Sequence, residues 1–288
     1  MAVETTEKLM AFVPKVTFEL IPIKNLVANQ EYQRNLSESH IMRAAKDFDL
    51  YQINPVKVSR RDNINYVFNG QHTIEIVALV SKSRETPVWC MVYDDMTYKS
   101  EAHVFADQQK YVKSLVPYEI FAAHIEAQDE KYLTIRDLVE SYNLKISPSK
   151  TPGTICAVSA LERIYDKFGF HALDRTIRLC VGTWEGEINS FSANVLNAIA
   201  RMIAIYGDKL DDEIFKDHVG KYTIKAIGRT AKDRRPGAMG YAEAMLIAYN
   251  TKTKNRLPMK MLYGKNYDEE IEEEEAKDDA EVESEQPS

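Results

Sequence analysis

This chain of 288 residues has few cysteines and histidines, and their scarcity excludes several classes of protein. Its three cysteines, Cys90, Cys156 and Cys180, form no CxxC pair, so neither a disulfide scaffold nor a thiolate zinc site is expected. The six histidines are scattered and include no HExxH motif, which argues against a dedicated metal site. This cysteine usage is typical of a protein of the reducing cytoplasm.

Long apolar stretches are also missing. No run approaches the ~20 apolar residues that a helix needs to span a bilayer, so we expect no membrane partner. Residues 1–9 contain Glu4 and Glu7 and lack the apolar core of a signal peptide, which argues against secretion. Hydrophobic residues make up 44% of the chain, enough to form a sizeable core. The sequence therefore predicts a cytoplasmic globular protein.

The charges that are present are distributed unevenly. The chain holds 37 basic and 44 acidic residues, for a net charge of −7. Residues 268–288 contain 12 acidic residues and one lysine (net −11), and residues 216–265 contain 12 basic and 3 acidic residues (net +9). The other residues, 1–215, contain 24 basic and 29 acidic residues (net −5), so the three parts together give −7. Without residues 268–288 the chain would carry +4, with its positive charge gathered near the C-terminal end.

Strand signals are confined to the first part of the chain. The turn dipeptide Asp62-Asn63 separates two β-rich runs and predicts a hairpin, and Gly70 closes that hairpin and opens a helix. Beyond residue 128 the apolar residues recur at helical spacing. The predicted fold class is α+β, with a small mixed-sheet domain at 15–128, a mostly α-helical domain at 129–263 and a disordered acidic tail at 266–288.

Four short segments of the first domain occur in an order that carries a resemblance. They are Tyr-Gln-Arg at 32–34, the run Gln-Ile-Asn-Pro-Val-Lys-Val at 52–58, the run Tyr-Val-Phe-Asn-Gly-Gln-His at 66–72, and the helical Phe-Ala-Asp-Gln-Gln-Lys at 105–110 followed by Leu-Val-Pro-Tyr-Glu at 115–119. This order resembles the N-terminal domain of the ParB/sulfiredoxin-like superfamily. It is most similar to the branch with a "DGQHR" string, found in bacteria, phages and mobile elements.

The resemblance implies a nucleotide site. Members of the superfamily bind CTP or ATP, so it implies one of these nucleotides with Mg²⁺ as cofactor. A glycine at a strand-to-helix junction lets the backbone approach a phosphate, which the start of the helix attracts. Alternatively, Gly70 is a plain turn glycine, His72 bonds a neighbouring carbonyl, and Arg34 forms a surface ion pair. The implied nucleotide-binding residues are Arg34, Lys57, Gly70, Gln71, His72 and Gln109.

The sequence departs from the family pattern at this site. Thr73 and Glu75 stand where family members carry arginine, and Gln71 stands where sulfiredoxin has its nucleophilic cysteine, which excludes sulfiredoxin chemistry. If the site transfers phosphoryl groups, it needs a carboxylate near Gly70 that holds Mg²⁺ or acts as the base, and Glu75 and Asp107 are the candidates.

Two further segments bear on nucleic acid. Residues 133–147 have the outline of a helix-turn-helix unit, but residues 147–153 read as a loop, so a capped helix-loop-helix in a helical bundle is favoured. The basic stretch is the better candidate for contact with DNA or another polyanion, although a solvated helix face explains it as well. The acidic tail would cover this surface, compete for it or aid solubility. The candidate nucleic-acid-binding residues are Lys221, Lys225, Arg229, Lys232, Arg234, Arg235, Lys252, Lys254 and Arg256.

We therefore predict a ParB-like nucleotide- and DNA-associated accessory protein of a phage or mobile element, located in the cytoplasm of a bacterial host cell. The resemblance also leaves a homodimer open. The alternative is a catalytically degenerate ParB-like scaffold that acts as a protein-interaction module and inhibits or redirects a host complex. A phosphoryl-transfer enzyme is a third hypothesis.

Overall fold

The computed structural model describes Met10 and residues 15–28, 36–94, 96–110 and 114–264. The chain divides into two compact units, Met1–Ser114 and Leu115–Ser288. Two of the predicted features, Arg34 and the acidic tail at 266–288, lie outside the described residues, as does the side chain of Gln109.

The described part of the first unit contains a five-stranded mixed sheet in the order β1-β5-β3-β4-β2. The hairpin of β3 and β4 is antiparallel, and its turn residues Asp62 and Asn63 both have a positive φ, as a two-residue hairpin turn requires. The β3–β5 and β2–β4 pairs are parallel, which makes the sheet mixed and confirms the predicted α+β class. The strands are β1 (Thr17–Pro22), β2 (Leu26–Ala28), β3 (Val56–Arg61), β4 (Ile64–Asn69) and β5 (Pro87–Tyr93).

Three described helices accompany this sheet. Ser37 caps the first of them, since its hydroxyl accepts the N–H of His40 at 3.3 Å. One face of the sheet forms a small core with Val58, Val67, Ile74 and Val92. These helices are α1 (Glu38–Lys46), α2 (Gln71–Ser81) and α3 (Tyr98–Lys110), and Ile23–Asn25 and Leu50–Gln52 form 3₁₀ turns.

The second unit is built almost entirely of helices, arranged around a larger apolar core. The longest buried stripe lies on the helix at 193–206, where Val195, Leu196 and Ile199 are fully buried. The described helices are α4 (Pro117–Glu126), α5 (Glu130–Ser141), α6 (Val158–Phe168), α7 (Phe170–Trp184), α8 (Ala193–Tyr206), α9 (Asp212–Val219), α10 (Ile224–Arg234) and α11 (Gly237–Tyr249). Short β strands, β6 (Lys145–Ile146) and β7 (Thr154–Ile155), and 3₁₀ turns at Ile188–Phe191, Gly207–Lys209 and Met259–Tyr263 complete the unit.

Two details differ from the sequence-based expectations. The division falls after Ser114 instead of near residue 128, because α4 buries Phe121 in the core of the helical unit. The segment at 133–147 contains no second helix: α5 is followed by β6, which pairs with β7. Thr134 lies inside α5 and donates to the carbonyl of Glu130 at 2.8 Å, so it does not cap this helix.

None of the helices in the described ranges is both long and apolar enough to cross a membrane.

Candidate functional site

The strand-to-helix junction at Gly70 has the backbone geometry that only glycine adopts readily. Its φ is +104°, and a Cβ atom at this position would lie 3.2 Å from Cα of Val56. A side chain would therefore be strained and crowded at the same time. The helix α2 begins directly at the sheet edge. Because Gly70 has no side chain, it cannot cap the first N–H groups of this helix.

The first turn of α2 combines backbone donors with two polar side chains. Gln71 is only 7% exposed, and its amide has no hydrogen-bond partner among the described residues. His72 accepts the N–H of Ser37 on Nε2 at 3.3 Å, which places the imidazole proton on Nδ1. Since Ser37 caps α1, this contact brings the starts of α1 and α2 together. Two positive helix-dipole ends at one place favour an anion.

The end of α3 reaches the same junction. Asn69, the last residue of β4, donates its amide to Oε1 of Gln108 at 3.0 Å, and Lys57 lies opposite Asn69 in the β3–β4 ladder. Lys57 is half-buried and makes no ion pair within the described residues, so its charge is available at this edge. The sequence-predicted site does not include Asn69, Gln108 or Ser37, although Gln108 belongs to the quoted motif.

A cavity of about 300 Å³ lies between α1 and α2. Its polar lining includes His40, Arg43 and Thr73, and apolar side chains such as Phe48 and Val77 complete it. The His40 ring meets the His72 ring edge to face, with 5.5 Å between centroids, so the cavity adjoins the helix starts. Its volume is at the lower end of small-molecule sites.

The two predicted carboxylates do not gather at this junction. Glu75 receives a bidentate ion pair from Arg84, with both nitrogen–oxygen distances at 3.0 Å. That pairing offsets the repulsion that Glu75 would exert on a phosphate. Asp107 is exposed on α3 and has no ion pair in the described ranges. No three His, Cys, Asp or Glu side chains of the described chain come together as a metal site.

In the second unit, α9 and α10 are joined by a four-residue turn, the connection typical of a helix-turn-helix unit. Gly220 packs so closely that an added Cβ would lie 2.3 Å from the carbonyl oxygen of Lys216 and 3.2 Å from that of Thr183. Thr223 caps α10 by accepting the N–H of Ala226 at 3.2 Å. At Gly228 an added Cβ would meet the Tyr241 hydroxyl at 2.8 Å, so this glycine lets α10 approach α11.

The outer face of α10 carries three cations that we call the basic stripe: Lys225, Arg229 and Lys232. They are spaced at i, i+4 and i+7, opposite the buried Ile227 and Ala231, and therefore lie on one side of the helix. All three are exposed, and none makes an ion pair within the described chain. Asp233 is the acidic residue beside them.

Arg234 and Arg235, also predicted to bind nucleic acid, are held by the fold. Glu243 of α11 is 2% exposed, and its Oε2 accepts from Nε of Arg234 at 2.5 Å. Nε of Arg235 lies 3.3 Å from Oε1, and its guanidinium stacks 4.9 Å from the ring centroid of Tyr263. Burial alone would raise the pKa of Glu243, but hydrogen bonds from Arg234 and Tyr263 and the nearby positive charges lower it.

The other predicted cations fall into two groups. Lys221 pairs with Asp217 at 3.1 Å, both side chains being exposed. The loop after α11 is closed by two 2.8 Å hydrogen bonds between Asn250 and Leu257 and carries Lys252, Lys254 and Arg256, all exposed.

Comparison with known proteins places the chain in a family without an assigned role. A family described as "Family of unknown function (DUF6551)" matches residues 27–261. No curated protein matches the chain. Among solved structures, the chain is similar to the C-terminally truncated chromosome-partitioning protein ParB from Caulobacter crescentus, complexed with CTP-gamma-S, at 12% identity. The likeness covers 86% of this chain and 97% of that chain at a TM-score of 0.33.

Proposed function

We propose that this chain, which belongs to the DUF6551 family, binds nucleic acid through α10. The observation that carries the proposal is the basic stripe: three exposed cations on one helix face, with no ion pair in the described chain. Cations in this state release counterions from a phosphate backbone without first breaking an ion pair. The four-residue turn before α10 and the flanking cations of the 252–256 loop support the same reading.

Arg234 and Arg235 are not assigned to this contact. Moving either guanidinium toward a phosphate would leave the buried carboxylate of Glu243 with one partner fewer, and an underpaired buried charge is costly. Tyr241 packs against Gly228, so it is not assigned to base stacking either. Tyr222 is 41% exposed and is the aromatic residue available for stacking.

Fluorescence anisotropy with a duplex DNA of arbitrary sequence tests the proposal. The variant K225Q/R229Q/K232Q is expected to bind on the order of 100-fold more weakly at ~0.1 M salt, because each lost phosphate contact removes about 0.9 released counterion. The matched control K46Q/K145Q/K209Q removes the same charge from three exposed lysines outside the stripe. Equal affinities of the two triple variants would contradict the proposal.

A second candidate function is the binding of a nucleoside triphosphate, CTP or ATP with Mg²⁺, at the start of α2. What favours it is the uncapped helix start at Gly70, together with the largely buried Gln71 and the half-buried Lys57. The phosphates would lie against the first turn of α2, and the adjoining cavity would take the nucleoside.

Titration calorimetry with each of the four nucleoside triphosphates and Mg²⁺ tests this candidate. We expect His72→Ala to weaken binding at least tenfold, because it removes the side chain that joins the two helix starts. His103→Ala, an exposed histidine of α3 in the same unit, serves as the control. Absence of heat with all four nucleotides would rule the candidate out.

The other sequence-based assignments stay predictions. They are the origin in a phage or mobile element, the homodimer, the host-protein partner of a degenerate scaffold, and phosphoryl transfer.

A further inference from the structure

We propose that the acidic C-terminal segment, residues 265–288, occupies the basic stripe of α10 in the same molecule and competes there with nucleic acid. The competition rests on the proposed function, whereas the contact between the segment and the stripe does not.

The first support is the place where the segment leaves the fold. The 3₁₀ turn Met259–Tyr263 is fixed to the helical core: Leu262 is fully buried, its carbonyl accepts from the buried Arg201, and the Tyr206 hydroxyl donates to the carbonyl of Pro258 at 2.9 Å. Residue 264, the last one described, therefore has a defined position. The acidic segment starts there.

This position is beside the end of α10. Tyr263 stacks on Arg235, the residue that follows α10, and Arg235 lies with Arg234 at the carboxylate of Glu243. Along α10, Lys232 lies three residues before Arg235 and Lys225 lies ten residues before it. At about 1.5 Å per helical residue, the whole stripe lies within roughly 15 Å of the anchored ring along the helix axis.

The length of the segment is sufficient to reach the stripe. Its first acidic residue, Asp268, comes four residues after Gly264, and residues 268–288 carry a net charge of −11. At roughly 3.3–3.6 Å per extended residue, only the first few residues are needed to reach Lys232, and a run such as Glu272–Glu275 reaches Lys225.

Charge complementarity makes the stripe a docking surface for the segment. Arg234 and Arg235 already form ion pairs with Glu243, so they offer little to a further carboxylate. Lys225, Arg229 and Lys232 make no ion pair within the described chain and point to the same side of α10. Because the segment is tethered, its effective concentration at the stripe is on the order of millimolar, enough to compete with a separate polyanion.

Zero-length carbodiimide cross-linking of the full chain tests the contact without any nucleic acid. The reagent joins a carboxylate to a lysine amine, so we expect segment cross-links at Lys225 and Lys232 to exceed those at the exposed Lys145 and Lys209. The yield per molecule should not depend on protein concentration, because the contact is within one chain. Equal yields at all four lysines, or cross-links that form only between molecules, would overturn the proposal.

DNA affinity measured on full-length variants tests the competition. We expect E272Q/E273Q/E274Q/E275Q to bind duplex DNA on the order of tenfold more tightly at low salt, with a smaller gain as salt rises. The control E126Q/E140Q/E185Q/D208N changes the net charge equally at four exposed carboxylates of the second unit. The gain must also disappear when the stripe is neutralised with K225Q/R229Q/K232Q.

The outcomes separate the two proposals. A gain that matches the control, or that survives neutralisation of the stripe, would refute the competition. If no variant binds DNA at all, the proposed function fails, while the cross-linking result still decides whether the segment lies on the stripe.

Discussion

Two groups of cations lie on the same eleven-residue helix and its next residue, and they are held in opposite ways. Arg234 and Arg235 point to the buried carboxylate of Glu243 and to Tyr263, whereas Lys225, Arg229 and Lys232 face outward without an ion pair in the described chain. The difference follows from their position around the helix axis, since successive residues are rotated by about 100°. Cations that are close in sequence thus have different roles: the first group stabilises the fold, and the second is available to a partner.

The largest effect on stability is expected from R234A/R235A. Both cationic partners of Glu243 are lost, which leaves a buried carboxylate without its compensating charge, and we expect the free energy of unfolding to fall by about 3 kcal/mol. Chemical denaturation measures this change. At a temperature where the variant is folded, its DNA affinity should stay within about threefold of wild type, because phosphate-contacting cations dominate the affinity. A loss of affinity with unchanged stability would reverse the assignment of the two groups.

A smaller loss is expected from Glu243→Gln. The amide still accepts a hydrogen bond from Arg234 but no longer carries the compensating charge, so we expect a loss of about 2 kcal/mol. Arg234 and Arg235 are then released from their carboxylate, and DNA affinity should rise two- to threefold by the general charge effect. Unchanged stability in denaturation experiments would show that Glu243 does not hold these arginines.

Tyr263 gives a pH test of the same cluster. Burial and then its hydrogen bond to Glu243 raise the pKa of Tyr263 above the ordinary value of 10.0. A group whose pKa is raised in the folded state contributes stability that is present below the unfolded pKa and is lost as pH rises through the folded pKa. Wild type should therefore lose stability more steeply above pH 10 than Tyr263→Phe, which at neutral pH costs about 1 kcal/mol. Parallel pH profiles from denaturation would contradict this account.

The smallest effect is expected from Lys232→Ala. An exposed lysine without an ion pair in the described chain adds little to stability, so the change should stay within about 0.5 kcal/mol. Differential scanning calorimetry of this variant beside Arg234→Ala compares two neighbouring cations directly. Similar losses for both would remove the distinction between the groups.

The two units also present anion-binding groups in different ways. The start of α2 presents backbone N–H groups, one half-buried lysine and an adjoining cavity, which suits a compact phosphate ligand. The face of α10 presents side-chain charge spread over about two helical turns, which suits an extended polyanion. This difference is the reason why we propose a nucleotide for the first feature and a nucleic acid for the second.

The local features of the first unit could be predicted from the sequence, because short-range signals specify them. Asp62-Asn63 predicts the hairpin turn and Gly70 predicts the strand-to-helix junction. The 3₁₀ turn at Ile23–Asn25, between β1 and β2, is not revealed by the apolar pattern alone.

Which cations form ion pairs could not be predicted from the sequence, because the pairing depends on contacts between helices. The apolar run at 238–249 has helical spacing, yet nothing local indicates that Glu243 in that run pairs with Arg234. The helices α9 and α10 are hard to predict because polar residues and Gly228 weaken their periodicity, whereas residues 133–147 have the outline of a helix-turn-helix unit and do not form one.

One salt titration tests the central claim most directly. The slope of log affinity for duplex DNA against log salt counts the phosphate contacts, at about 0.9 per contact. We predict that K225Q/R229Q/K232Q lowers the magnitude of this slope by about 2.7, while K46Q/K145Q/K209Q leaves it at the wild-type value. Identical slopes for the two triple variants would contradict the account.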